Sequence, residues 1–281
     1  MDIVARKNEM PVRLLFADID GTLVDAGSAV SERTVTALAR LVGRGWALAL
    51  CTGRSRHAAE RIAADVGCAG YGVVLNGAVV VDWARGTVLR VSALPVALVR
   101  EAARIAETRH VGCVALDAGA EGIAFAEEGA RLWPPYEARN RDRIRRVTTL
   151  DEMASAPASL VAYGARFDAA AIASQWREAF GGAAVSIAGP TGVYRGWYAQ
   201  LTAAGATKEE AAAFLAGRLG VARRDTVAIG DHENDAGLLR WAGLGICMGD
   251  GHDLAKAAAD RITGTLADEG AAAAIEELIL D

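Results

Sequence analysis

The stretch "FADIDGTL" (16–23) ends an apolar run, Leu14-Leu15-Phe16, on two aspartates one residue apart and then breaks into Gly-Thr. A short, near-continuous apolar run bounded by a turn signal reads as a strand covered on both faces, as in parallel sheets. Two carboxylates that close repel each other unless water or a cation lies between them. The ends of the other strands decide which applies to Asp18 and Asp20.

Together with "RLLFAD" (13–18), four further runs read the same way: "WALALCT" (46–52), "YGVVLN" (71–76), "DTVAIGD" (225–231) and "GLGICMG" (243–249). Helix-like segments fall between and after them at 31–44, 55–66, 207–219, 233–242, 251–259 and 269–279. In the first of these, Ser31 offers a cap and Val35, Leu38 and Leu41 form a stripe at helical spacing. The alternation predicts an α/β fold with a doubly wound, Rossmann-like parallel-sheet core.

The middle of the chain differs. It holds most of the aromatics and arginines, including "RLWPPYEARNRDRIRR" (131–146). Helical pieces are expected at 95–109 and 168–180, and extended ones at 111–117, 122–127, 147–149 and 159–167. These suffice for a smaller α/β domain, 85–197, inserted into a core made of 1–84 and 198–281.

The bulk composition sets limits on partners and compartment. The 281 residues are 52% hydrophobic and 23% charged, ordinary for a globular protein with a real core. A formal net charge of −5 gives no reason to expect nucleic acid or an anionic membrane as partner. No run approaches the roughly 18 apolar residues of a membrane span. The opening "MDIVARKNEMP" lacks the apolar centre of a signal peptide. Cys51, Cys68, Cys113 and Cys247 have no metal spacing and read as buried thiols in a reducing compartment, the cytoplasm. Nothing in the sequence indicates an oligomeric state.

Ligands in open α/β sheets bind at the carboxyl ends of the strands. Four of the strands end there in Asp18 (then Asp20), Thr52, Asn76 and Asp231, and "GDHENDAGLL" (230–239) adds Asn234 and Asp235. Four carboxylates would thus converge from segments more than two hundred residues apart. A hard dication such as Mg²⁺, held by carboxylates, waters and a substrate phosphate, relieves their repulsion. A metal beside an anion suggests phosphoryl chemistry. Asp18 suits a carboxylate nucleophile that forms an aspartyl-phosphate. Asp20 suits an acid that protonates the leaving oxygen and then deprotonates the attacking water. The hydroxyl of Thr52 and neighbouring backbone N–H groups, that of Gly53 among them, suit the phosphoryl oxygens, and Lys208 would neutralise their remaining charge. Only Lys7, Lys208 and Lys256 among 30 basic residues are lysine, so a lysine at such a position stands out; Lys256 is the substitute.

With "DIDGTLV" (18–24), "CTGRS" (51–55), Lys208, "GDHENDAGLL" (230–239) and "AGLGICMGD" (242–250), the chain resembles the haloacid dehalogenase superfamily of phosphohydrolases. The long insertion between Thr52 and Lys208 is similar to that of its Cof-type branch. The resemblance is strong over roughly 12–85 and 198–281, and over the insertion it rests on length and position. It implies Mg²⁺ on the side chains of Asp18 and Asp231 and on the backbone carbonyl of Asp20. Asp235 would lie in or just outside that set, with Asn234 facing the phosphate or orienting Lys208. The implied reaction is Mg²⁺-dependent hydrolysis of a small phosphorylated metabolite, such as a sugar phosphate.

Other readings of the same residues stand beside this one. A phosphomutase would share the core, and so would a non-catalytic phospho-receiver or metal-binding regulator, although a receiver has little use for Asp20. Thr52 also suits a helix cap, and Asn76-Gly77 a hairpin turn as well as a substrate contact. Arg54 reaches either the substrate or a neighbouring acid. His57, His110, His232 and His252 share no spacing. Trp133, Tyr136, Arg139, Tyr194 and Trp197 form either core or a specificity pocket.

Overall fold

Leu14, Leu15, Phe16 and Ala17 are wholly buried, as an apolar run covered on both faces requires. They lie in the first strand of a computed structural model that describes residues 13–25, 29–67, 70–117, 124–153, 155–188 and 196–280. The chain opens as β1 (Arg13–Asp18), α1 (Glu32–Gly43), β2 (Trp46–Cys51), α2 (Arg56–Val66), β3 (Tyr71–Val74), β4 (Val79–Asp82) and β5 (Thr87–Val91). The insertion follows as α3 (Val96–Glu107), β6 (Cys113–Leu116), β7 (Ala124–Glu127), α4 (Pro134–Asn140), β8 (Ile144–Val147), β9 (Ser159–Gly164), α5 (Arg166–Ala179), β10 (Ala184–Ala188) and β11 (Trp197–Thr202). The last part is α6 (Lys208–Leu219), β12 (Thr226–Gly230), α7 (Ala236–Trp241), β13 (Leu244–Cys247), α8 (Asp253–Ala258), β14 (Arg261–Ile262) and α9 (Gly270–Leu280).

Among the described residues the strands form two sheets. The first has the order β14-β13-β12-β1-β2-β3-β4-β5. From β14 to β3 all neighbours are parallel, and the order reverses direction around β1, so the core is doubly wound. The exception is β4, which turns back antiparallel on β3 with Val74 opposite Val79. The Asn76-Gly77 hairpin reading therefore describes the backbone there. Ser31 caps α1 by accepting the N–H of Thr34 at 3.2 Å. On its solvent side α1 is tied to α9 by the Arg33 guanidinium, which donates to both Glu276 oxygens at 3.1 and 2.8 Å. Phe16 meets Trp241 of α7 edge to face, with centroids 6.0 Å apart.

The second sheet has the order β10-β11-β9-β6-β7-β8 and belongs to the insertion. It is antiparallel except where β7 pairs with β8. Helices α3 and α5 bury Val99, Ala102, Ile172 and Trp176 against Leu160, Ala162, Ala199 and Leu201 of its strands. The Trp176 indole N–H donates to the Ala102 carbonyl at 2.9 Å, so this large side chain leaves no orphaned donor in its core.

The chain divides into two compact units, one comprising Met1–Arg54, Ala58–Thr87 and Thr207–Asp281, the other Ser55–His57 and Val88–Ala206. Trp197–Thr202 pairs with β9 and β10 inside the second sheet, so the return to the first unit comes later than the 197/198 boundary expected above. The extended piece expected at 147–149 is displaced to Ile144–Val147.

Candidate active site

Parallel pairing fixes where the functional side chains gather. Asp18 lies opposite Cys51 at the end of β2, so Thr52 follows one residue beyond it. On the other side Ala17 lies opposite Ile229, which puts Asp231 just past the end of β12. The polar residues at the ends of β1, β2 and β12 therefore share one rim of the sheet.

Lys208, first residue of α6, is 1% exposed. Its Nζ lies 2.5 Å from Asp18 Oδ1 and 2.5 Å from Asp235 Oδ1. The two aspartates are 5% and 0% exposed. Thr207 starts α6 by accepting the Glu210 N–H at 3.4 Å, and Glu209 and Glu210 occupy the first turn, where acids suit the helix dipole. They do not displace Lys208 from its two carboxylates.

Asp235 organises its own loop. Its Oδ2 accepts the backbone N–H groups of Asp231 at 3.2 Å and His232 at 3.0 Å, folding the turn Glu233–Asp235 ahead of α7. Oxygens of Asp18, Asp231 and Asp235 all fall within 4.8 Å of one another.

The charges do not balance. Fully ionised, three carboxylates facing one ammonium would leave two net negative charges in a largely buried place. Burial works against the Lys208 charge, but Asp18 and Asp235 outweigh it and hold the ammonium above the ordinary lysine range. Burial, opposed by Lys208 and reinforced by Asp235, Asp231 and Asp20, raises the Asp18 carboxyl well above the usual carboxylate range. Asp231 is pushed up to about 6, first by burial and then by the Asp235 charge. A cluster of hard oxygen donors short of two positive charges fits a small dication.

Asp20 stands apart from this cluster. It is exposed and forms a bidentate pair with Arg54, Nε to Oδ2 at 2.7 Å and Nη2 to Oδ1 at 2.5 Å. Arg54 thus takes the second of its two expected roles, pairing with an acid. The Thr52 hydroxyl accepts the Arg54 N–H at 3.1 Å, which bends the chain through Gly53. Asn76 is buried, in a left-handed backbone (φ 55°, ψ 30°), and its Oδ1 accepts from Asn234 Nδ2 at 2.8 Å. Its N–H donates to the Thr52 carbonyl at 3.0 Å, so Thr52, Asn76 and Asn234 are joined.

Outside this set, Lys256 lies on α8, and among the described residues it forms no ion pair with the three carboxylates. His232 and His252 meet at a tilt of 47°, with centroids 5.7 Å apart, and His252 Nδ1 accepts the Leu254 N–H at the start of α8. In the inserted unit Tyr136 stacks on Tyr163 at 4.4 Å, Tyr163 meets Tyr198 at 5.5 Å, and Arg166 covers Trp197 at 4.9 Å. Tyr194 and Cys68 fall outside the described residues. Sequence reasoning missed Thr22, whose hydroxyl donates to Asp231 Oδ1 at 2.8 Å. The signal was the Gly-Thr that ends the opening motif.

Acids from both halves of a doubly wound core, paired through a buried lysine at the strand ends, define a class, the α/β proteins suited to phosphoryl chemistry. More specifically, the chain belongs to the haloacid dehalogenase-like hydrolases, whose family pattern matches residues 15–275, and it is of the Cof type. It is 24% identical over 274 residues to the 5-amino-6-(5-phospho-D-ribitylamino)uracil phosphatase YitU of Bacillus subtilis, covering 94% of this chain and 96% of that protein. A second B. subtilis 5-amino-6-(5-phospho-D-ribitylamino)uracil phosphatase, YcsE, is 37% identical over 81 residues, and there the match spans only 29% of this chain and 32% of that relative. A haloacid dehalogenase-like hydrolase from Bacteroides thetaiotaomicron has a similar fold, with a TM-score of 0.80 at 25% identity over 95% of this chain and 99% of that one. No helix among the described residues is long and apolar enough to cross a membrane.

Proposed function

We propose that the first unit hydrolyses a small phosphomonoester, a sugar phosphate or similar metabolite, with Mg²⁺, and that the inserted unit acts as its cap. The observation that carries this reading is the buried Lys208 bridging Asp18 and Asp235, with Asp231 in the same cluster. The phosphorylated ribityl compounds named for YitU and YcsE support the substrate class.

Asp18, Asp231 and Asp235, with the backbone carbonyl of Asp20, would hold the ion. A bound dication there supplies neutralising charge for the carboxylates and for the phosphoryl oxygens. An Asp18 carboxylate oxygen attacks phosphorus, and the bond from phosphorus to the leaving oxygen breaks. Asp20, protonated, donates its proton to that oxygen. Water then attacks the phosphorus of the aspartyl-phosphate, Asp20 takes the proton, and the Asp18 carboxylate is released with free phosphate. The Arg54–Asp20 pair must part for the first proton transfer, because both Asp20 oxygens are engaged. In this reading Thr52, the Gly53 N–H and, once released from Asp20, Arg54 would donate to the phosphoryl oxygens, and Lys208 would keep the nucleophile's carboxylate in place. Asn76 and Asn234 belong to the same binding group. Cys51, Cys113 and Cys247 are free and buried, which suits a reducing compartment such as the cytoplasm.

Turnover of p-nitrophenyl phosphate tests this directly. Activity is expected with Mg²⁺, is expected to disappear with a chelator, and is expected to be abolished in Asp18→Asn with the fold intact. Retained turnover in that variant would remove Asp18 as nucleophile.

A further inference from the structure

We propose that Thr22 is a positioning residue for the metal, acting through Asp231. The inference rests on the Mg²⁺ reading above and adds to it a residue that touches neither ion nor substrate. Thr22 is wholly buried, yet its side chain carries a hydroxyl that must find a partner. That partner lies 209 residues away: Thr22 Oγ1 donates to Asp231 Oδ1 at 2.8 Å.

A carboxylate on a rotatable bond loses affinity for an ion when it can swing. One fixed hydrogen bond on Oδ1 sets the plane of the group and leaves Oδ2 free to bind. Among the described residues no hydrogen bond is made to Asp231 Oδ2, and the neighbouring Asp235 is already committed to Lys208 and to two backbone N–H groups.

The residue beside Thr22 packs against the same carboxylate. Gly21 has φ +86°, and a Cβ placed on it would run into the Asp231 carboxylate at Oδ2 and Cγ. The backbone of the opening motif therefore lies directly against the side chain that Thr22 orients. A hydroxyl bonded to Oδ1 and a bare glycine packed against the same carboxylate restrict how Asp231 can turn. Partners of this kind orient a ligand, and their loss typically weakens metal binding by about 10–100-fold.

The test is Mg²⁺ binding by isothermal titration calorimetry on the full chain, in the wild type, Thr22→Val and Thr22→Ser. Valine keeps the shape and removes the hydroxyl; serine keeps the hydroxyl. Thr22→Val is expected to bind Mg²⁺ about 10–100-fold more weakly, and Thr22→Ser to remain close to wild type. Turnover of Thr22→Val should recover as Mg²⁺ is raised, which a merely structural defect would not do. If Thr22→Val fails to fold, Thr22→Ala carries the same expectation. Equal affinity in the hydroxyl-free variant overturns the inference, as does a loss in Thr22→Ser equal to that in Thr22→Val. A wild-type protein that takes up no Mg²⁺ overturns the metal reading itself, an outcome distinct from the other two.

Discussion

Asp231 shows how charge is handled at the scale of one residue. Its carboxyl is pushed up to about 6 by burial and by Asp235, whereas an unperturbed aspartate titrates near 3.9. Between those values the folded chain binds a proton that the unfolded chain does not. In a chelator, stability should therefore rise as pH falls from about 7 through about 6 towards 4, opposite to the usual acid loss. Mg²⁺ affinity should fall over the same window, since proton and ion compete for one carboxylate. Thermal unfolding at pH 7 and pH 5 with and without Mg²⁺ checks both, and an unfolding temperature in chelator that drops at pH 5 would contradict the assignment. The acids and Lys208 were legible because their types and spacing are specific. The Asp20–Arg54 pair was not resolved, since "TGR" leaves the arginine two targets. Thr22 was missed because a hydroxyl in a turn reads first as a local cap.

At the scale of elements, the short turn Leu75–Gly77 joins β3 to β4 and lies against the start of α6. Leu75 and Asn76 have φ of 51° and 55° and Gly77 has 100°, three successive residues in left-handed backbone. A Cβ at Gly77 would collide with the Thr207 carbonyl at the start of α6, one residue before Lys208. Gly77→Ala should thus cost about 2 kcal/mol or more through strain and collision combined, and it should lower turnover by moving Lys208. Urea unfolding and a phosphatase assay would measure the two effects; unchanged values for both would show that α6 does not lean on this turn. The buried parallel strands β1, β2, β3, β12 and β13 were readable as apolar runs within a residue or two. The hairpin partner β4 was hidden because "AVVVDW" follows the turn without its own flanking break. β10, β11 and α4 went unread in a region punctuated by Gly and Pro, where side-chain periodicity is interrupted.

For the whole molecule, the fold's main consequence is that residues 18 and 231, more than two hundred positions apart, meet at one rim of one sheet. The doubly wound order was legible because it follows from alternating strands and helices, whereas the second sheet's strand order depends on pairings that no local pattern announces. Each unit has a core of its own, and the acid cluster, Lys208, Thr52 and Asn234 all belong to the first. The inserted unit carries the aromatic row of Tyr136, Tyr163 and Tyr198. The central claim is that the three aspartates and Lys208 form a seat for one divalent ion. Anomalous diffraction from crystals grown with Mn²⁺ as a stand-in for Mg²⁺ tests it most directly. The account predicts a single strong peak within bonding distance of both Asp18 and Asp231. A peak bound elsewhere, or Asp18 and Asp231 clean of metal in a Mn²⁺-saturated active enzyme, would contradict it.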